Sequence, residues 1–462
     1  MVVVVDDKQE ERADDVIIRG STWAAIWHMS WPLLLNMCTI SIASFADVWV
    51  AGQLGSNTQA AIGICGQIGF FMIMLAVALS AGTTALVSRF WGAGDFKGAV
   101  EAARYSLIFA FIFGIISSLI GLLIARPLVR MLGAAPEVEA QGWQYLKLDL
   151  LSHIPFTVLW VANSIFRAKG DARVPMVTWI LMTTLICSLD VGLCLGPIKM
   201  GIAGIGMAWL IAGTVGMLFS IFVLSRSELK ECLSLKGTLD KARSKEWLVR
   251  LLRIGVPACI QDLSWVGGNF LLLFILAHTP DPTSAQAAWG VGLRVEEMIG
   301  GMPIYALSMA VGTIVGQNLG AKQPDRAVRA GWHVAWLGAG FNLLVAVVLF
   351  IFAREIAGVM SIDPKVIGYT SDYFRWVGLC QPFVALWLIL FGAMQGAGYT
   401  RWPMIASTLI LTLFRLPLAW FLSVTLNWGP SGTWAAVSIS VFFVGALAIW
   451  RYNTGVWKDQ KV

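Results

Sequence analysis

Residues 78–102 read ALSAGTTALVSRFWGAGDFKGAVEA, and residues 306–330 read ALSMAVGTIVGQNLGAKQPDRAVRA. Laid on one another at a shift of 228, without a gap, they share 9 of 25 positions. The same shift carries Gly170, Arg173, Pro175 and Met176 onto Gly398, Arg401, Pro403 and Met404, and then Gly201, Gly204 and Ala208 onto Gly429, Gly432 and Ala436. At a shift of 227, PFTVLW from Pro155 meets PFVALW from Pro382. The chain is written twice, and both copies are intensely apolar. Two like-oriented membrane halves enclosing a site between them is transporter architecture.

Composition points the same way. Hydrophobic residues make up 58% of the chain against 13% charged, with a mean hydropathy of +0.74. Uncharged runs of about 20 residues, enough to cross a bilayer, recur throughout, as in 105–125, 200–225, 330–353 and 376–400. Runs and breakers predict twelve spans, near 24–51, 60–88, 103–125, 149–166, 174–195, 201–225, 254–277, 286–316, 330–353, 373–396, 403–426 and 432–452. The fold class expected is an all-α polytopic membrane protein, with twelve transmembrane helices in two pseudo-symmetric six-helix lobes. Its divisions are a tail (1–22), an N-lobe (23–225), a linker (226–253), a C-lobe (254–452) and a second tail (453–462). The first 20 residues carry six acids and three bases and read as hydrated. No apolar h-region with a cleavage site precedes the first span, so no removable signal peptide is expected.

Lys and Arg set the orientation. With both termini inside, the cytoplasmic segments hold 24 of the 33 Lys and Arg, eight of them between 226 and 253. That bias fits a bacterial inner membrane protein with both tails cytoplasmic. The net charge of +6 then reports contact with anionic lipid headgroups, not with nucleic acid. The seven cysteines form no CxxC and fall mostly within spans, where thiols act as small apolar residues. Four scattered histidines, no Ser-His-Asp spacing and no phosphate loop speak against a metal site, an enzyme or a nucleotide-driven pump. Residues 92–95, Gly-Ala-Gly-Asp, pair with Gly-Ala-Lys-Gln in the second copy and read as a helix-to-helix turn. No cofactor is expected, so uphill transport would draw on an ion gradient.

Intramembrane acids become the centre of the argument, because an ionised side chain in hydrocarbon is costly and usually functional. Asp47 lies about nine residues before the outer turn at Ser56-Asn57, and Asp190 about seven before the turn at Pro197. Spans 1 and 5 both run outward, so the two acids are expected at one depth in the outer half of the N-lobe. Their repeat partners, Ile275 (or Leu272, aligned through Pro32 and Pro257) and Leu418, are apolar. The pair therefore belongs to one lobe only.

The stretches ADVWVAGQLG, NSIFRAKGDARVPM, SLDVGLCLG, GIAGIGMA and VGQNLGAKQPDRAVRA resemble the signatures of the multidrug and toxic compound extrusion (MATE) transporters, most of all the DinF-like branch. The resemblance covers about residues 23–452. It implies a central cavity that opens alternately to each side, and efflux of small amphipathic, often cationic, organic molecules in exchange for H⁺ or Na⁺. Carried over by position, Asp47 and Asp190 match the branch's first-helix and fifth-helix acids, Asn163 its fourth-helix asparagine, and Pro32 the proline at which the first helix bends. Three departures bear on the ion. Ile186 stands where the branch has Asn, Val191 where it has Pro, and Ala208–Trp209 where it has a sixth-helix Thr. Those oxygens would help to cage Na⁺, and hard cations need several oxygen ligands. Asp47, Asp190 and Asn163 are too few. A proton needs one carboxylate whose ionised form is disfavoured by burial beside a second, so H⁺ is favoured, with Na⁺ the alternative.

In the second lobe, Asp262 on span 7, Arg294, Glu296 and Glu297 on span 8 and Arg415 on span 11 read either as an internal ion-pair cluster or as a second cation site. Among 22 tryptophans, Trp160, Trp209, Trp265 and Trp289 are candidates for the substrate cavity, since aromatic faces suit lipophilic cations. Packing against neighbours or lipid is the commoner fate of such rings. Pro32, Pro155, Pro257, Pro303, Pro382 and Pro417 are expected to interrupt helices. A monomer surrounded by lipid is expected. A flippase for a lipid-linked sugar is the competing class, and it predicts a strongly cationic cavity. A channel or a membrane-embedded enzyme ranks third.

Overall fold

In the computed structural model, residues 13–131, 136–234 and 240–460 are described. The first twelve residues of the predicted tail, and 235–239 of the predicted linker, lie outside that set. Every described regular element is a helix. Hydrocarbon leaves no water to satisfy backbone N–H and C=O groups, and a helix pairs them within one segment.

A short α1 (Ala13–Ile18) leads into α2 (Thr22–Leu54), α3 (Ser56–Gly92), α4 (Phe96–Met131), α5 (Pro136–Lys169), α6 (Arg173–Leu189) and α7 (Ile202–Ser225). The second copy follows as α8 (Lys241–Leu276), α9 (Pro282–Glu296), α10 (Met302–Gly320), α11 (Pro324–Ile351), α12 (Ala353–Met360), α13 (Pro364–Gly378), α14 (Gln381–Gly396), α15 (Arg401–Ser407), α16 (Arg415–Trp420) and α17 (Pro430–Thr454). Eleven of the described helical stretches are long and apolar enough to span a membrane, and α13 with α14 makes a twelfth, bent by 57° at its break. The protein is a multi-pass membrane protein. Starts follow local chemistry: Ser21 accepts from the Ala24 amide, and the Asp240 carboxylate from those of Ala242 and Arg243. Asp240 thus starts α8 well inside the stretch read as linker. Trp247 and Leu251 then bury against the N-lobe, with Trp247 beside the rings of Phe90 and Tyr105.

Three expectations about prolines need correction. Pro32, Pro155 and Pro257 sit inside helices that run unbroken past them, α2, α5 and α8. Neighbouring helices can hold a proline-bearing helix together despite the lost backbone hydrogen bond. Pro382 occupies a first-turn position, where the missing N–H costs nothing, and Pro303 follows the π-helical stretch Glu297–Gly301 within the continuous span Pro282–Gly320. Pro417 lies in the short α16 between two π-helical stretches, Thr408–Phe414 and Phe421–Thr425.

The repeat is geometric as well as sequential. Gly201 and Gly429, 228 apart, precede α7 and α17 with φ/ψ of 59°/−141° and 60°/−144°, a region that L side chains avoid. Helices α2–α7 pack chiefly on one another, as do α8–α17. A shared apolar core joins the first half of α2 to α10 and α14. At the ends of α3 and α10 the backbones nearly touch. A Cβ on Gly92 would run into the Gln317 carbonyl, and one on Gly320 into the Arg89 carbonyl. Residues 89 and 92 map onto 317 and 320, so each contact is the image of the other. Both helices finish at the same end, which sets the pseudo-twofold axis roughly along them.

The first and last described segments of the chain reach that end. Arg326 donates to the carbonyls of Ile17 and Gly20, and Arg89 to that of Gln460. Among the described residues, hydrogen bonds between the lobes lie at this terminal end, or at mid-depth where Ser41 meets Met302 Sδ at 3.0 Å.

Candidate coupling site and central cavity

Helices α2 and α6 run parallel, and their register is pinned where Thr183 Oγ1 donates to the Thr39 carbonyl at 3.1 Å. Asp47 follows Thr39 by eight residues and Asp190 follows Thr183 by seven, so the acids share one depth. At Asp190 the α-helix gives way to a π-helical stretch, Asp190–Leu195, a distortion frequent at functional sites. Asp190 is fully buried and Asp47 half-buried. The two carboxyl groups stand within hydrogen-bonding reach once one is protonated. Trp209 Nε1 donates to Asp47 Oδ2 at 2.9 Å. Among the described residues, nothing donates to Asp47 Oδ1 or to either oxygen of Asp190. Three buried acceptor oxygens without a protein donor form a site able to take up a proton or a cation.

Asn163 does not join this pair. Its Oδ1 accepts from Ser220 on α7 at 3.3 Å, eleven residues beyond Trp209 toward the terminal end. At 1.5 Å per residue that is about 16 Å away along the helix. Ile186, at the position where the DinF-like pattern has Asn, is fully buried in an apolar cluster with Phe156, Trp179 and Met182.

The structure adds a third acid that sequence reading passed over. Asp149 on α5 is buried, with His153 Nε2 3.9 Å from its Oδ2 and Tyr145 one turn before it. The predicted span began at 149, which made this acid look like a boundary. Its i,i+4 spacing from a histidine was the available signal.

Between the lobes lies a cavity of about 100 Å³, walled by Trp160 and Arg167 from one lobe and by Gln261, Asp262 and Tyr305 from the other. Arg167 donates to Ser80 Oγ at 3.2 Å, and Tyr305 lies within Coulombic range of both Arg167 and Asp262. Trp160 therefore lines a cavity, while Trp209 serves the acid pair. Trp265 instead packs half-buried against the shared core. Trp289 is buried and stacked on Trp434 at 5.7 Å, inside the C-lobe core. Neither of these two lines the cavity, because apolar neighbours cover them.

The second-lobe candidates split between two places. Glu296 accepts from the Tyr373 hydroxyl and, at 2.8 Å, from Gln381 Nε2, whose side chain also meets Asn342. Arg415 donates to Ser440 at 2.6 Å and to Asn269 at 3.2 Å, within Coulombic range of Glu296. This is a buried polar network, and Asp262 stands apart from it.

The family model described as MatE matches residues 32–191 and 257–421, one segment in each half. The chain belongs to the MatE family. Similar proteins include a probable multidrug resistance protein NorM of Thermotoga maritima, 26% identical over 428 residues covering 90% of this chain and 89% of that one. An FAD transporter of Shewanella oneidensis is 28% identical over 85% of each chain. A crystal structure of the Vibrio cholerae MATE transporter VcmN covers 97% of this chain at 23% identity with a TM-score of 0.88, sharing the twelve-helix fold. A MOP-superfamily transporter from Pyrococcus furiosus covers 98% at 21% identity with a TM-score of 0.89. These MatE relatives are transporters, not enzymes. The matched segments enclose Asp47, Asp190, Asp149, Asp262 and Glu296 alike, so the family match by itself selects none of them.

Proposed function

We propose that this MatE protein is a proton-coupled antiporter that exports amphipathic, often cationic, organic molecules by alternating access. It acts as a monomer in the bacterial inner membrane, with both termini cytoplasmic and no cofactor. The observation that carries the reading is the Asp47–Asp190 pair, two carboxyl groups within hydrogen-bonding reach of one another, with Trp209 donating to Asp47 alone. Ionised, the pair attracts a lipophilic cation. A proton arriving from outside neutralises it, weakens that attraction and favours outward release. Proton and substrate need only prefer different states of one site, since a ligand without differential affinity shifts nothing. Pro32 gives α2 a place to bend as the site contracts.

Sodium is the competing ion. Ile186 and Ala208 offer no side-chain oxygen, which leaves the pair short of the ligands a hard cation needs. The flippase reading wants a strongly cationic cavity, whereas the interlobe cavity sets one arginine against one aspartate. Both are decided by reconstituting the purified protein in liposomes with tetraphenylphosphonium as cargo. A pH gradient in sodium-free buffer should drive transport, tetraphenylphosphonium affinity should fall as pH drops, and Asp47→Asn should abolish coupling and flatten that pH dependence. Transport that follows a sodium gradient and ignores pH would replace this reading with the sodium one.

A further inference from the structure

We propose that Asp149 and His153 form a second proton-holding pair in the N-lobe, exchanging charge with Asp47, so that each transport cycle moves protons through two coupled sites. The proposal rests on the proton-coupled reading above and extends it to residues on α5.

Tyr145, Asp149 and His153 follow one another at four-residue spacing and so form one stripe on α5. Asp149 and His153 are 9% and 5% exposed. Asp149 Oδ2 receives no hydrogen bond among the described residues, the Tyr145 hydroxyl stands within hydrogen-bonding reach of the carboxylate, and His153 Nε2 lies 3.9 Å from Oδ2. Every helix packed here matters to the charge balance. From α3, Gly69 passes so close that an added Cβ would sit 3.1 Å from Asp149 Oδ2, and Cys65, one turn earlier, lies within Coulombic range. From α7, Gly206 packs on the backbone at Tyr145 and Asp149 and brings no charge. From α4, Gly114 and Gly121 pack against the backbone at His153 and the side chain of Leu150, again without charge. From α2, Asp47 is within Coulombic range of both Asp149 and Tyr145.

A buried carboxylate with an open oxygen is unfavourable unless a proton reaches it or a cation forms beside it. The pair has both remedies: a proton on Asp149, or the same proton on His153 to make an ion pair. Either arrangement holds one proton and is neutral overall. Its loss leaves a negative charge that Asp47 feels, so the two sites titrate as one coupled system rather than separately. A structural role alone would need neither an open carboxylate oxygen nor a second titratable group one turn away.

The test measures protons released when tetraphenylphosphonium, which has no titratable group, binds the purified full-length protein in weakly buffered detergent solution with a pH-indicator dye. Wild type should release more protons per bound cation than either Asp149→Asn or His153→Gln. The imidazole chemical shift of His153 should move when the cation is added. His153→Gln keeps the question answerable if Asp149→Asn fails to fold. Equal release from wild type and a folded variant that still binds, or a His153 signal indifferent to the cation, overturns the proposal. If Asp47→Asn loses pH coupling while both α5 variants match wild type, only this inference fails. If Asp47→Asn couples normally, the proton-coupled reading itself is lost.

Discussion

At the scale of single residues, Trp209 changes how the acid pair should behave. A threonine expected at this point of the helix would offer a hydroxyl that can donate to a carboxylate or turn its lone pairs to a cation. The indole offers only an N–H donor, which steadies the ionised form of Asp47. A hydrogen bond to a charged group contributes about 1.5–3 kcal/mol. Trp209→Phe should therefore weaken tetraphenylphosphonium binding by roughly tenfold or more, at about 1.4 kcal/mol per decade, and move the pH of half-maximal binding upward. Titrating binding across pH in detergent checks both, and an unchanged curve would show that the indole only packs. Asp47 and Asp190 were legible in the sequence because charge in an apolar run stands out against everything around it. Asn163 was not placed correctly, since a motif gives order along a helix but not which neighbour a side chain meets. Tryptophans were the least legible. Trp289 and Trp160 look alike in sequence, yet one is sealed against Trp434 and the other lines a cavity. Trp289→Ala should cost about 3–5 kcal/mol of stability, read as a lower melting temperature with substrate preference unchanged.

At the scale of elements, length and punctuation were legible and irregularity was not. Apolar runs bounded by Lys, Arg and Gly located every span, because the bilayer imposes a minimum length that composition must meet. The π-helical stretches at Asp190 and Glu297, and the 57° break between α13 and α14, leave no comparable mark. They arise from packing between helices. The continuous α2 is a case where local chemistry suggested an interruption and the helix runs on through Pro32. A proline inside a helix costs about 3 kcal/mol relative to alanine. Pro32→Ala should raise the melting temperature while slowing transport, with equilibrium binding of tetraphenylphosphonium retained. Transport rates in liposomes, set beside binding in detergent, separate the two effects. A variant that transports at the wild-type rate would show that α2 need not bend.

At the scale of the whole molecule, the two lobes meet most closely where Gly92 faces Gln317 and Gly320 faces Arg89. A larger side chain at either glycine acts as a wedge on the same seam. Gly92→Leu and Gly320→Leu should each separate the terminal ends, and by similar amounts because the contacts are images of one another. Spin labels at the exposed repeat mates Lys97 and Asp325 would read the separation. An unchanged distance in both variants would mean that the seam yields locally and the lobes do not swing about it. The acid pair, by contrast, is a local asymmetry laid on this symmetric frame.

A surface that meets its own copy across a twofold axis is what a homodimer uses to recognise itself. In a half-length ancestor, one glycine at the end of one helix would have served both sides of the contact, and a single mutation there would have changed the interface twice. Fusing the copies into one chain released that constraint. In a single chain each lobe is free to differ, and Asp47 and Asp190 stand in one lobe while Ile275 and Leu418 stand at the matching positions of the other. The seam still records the older, equal partnership.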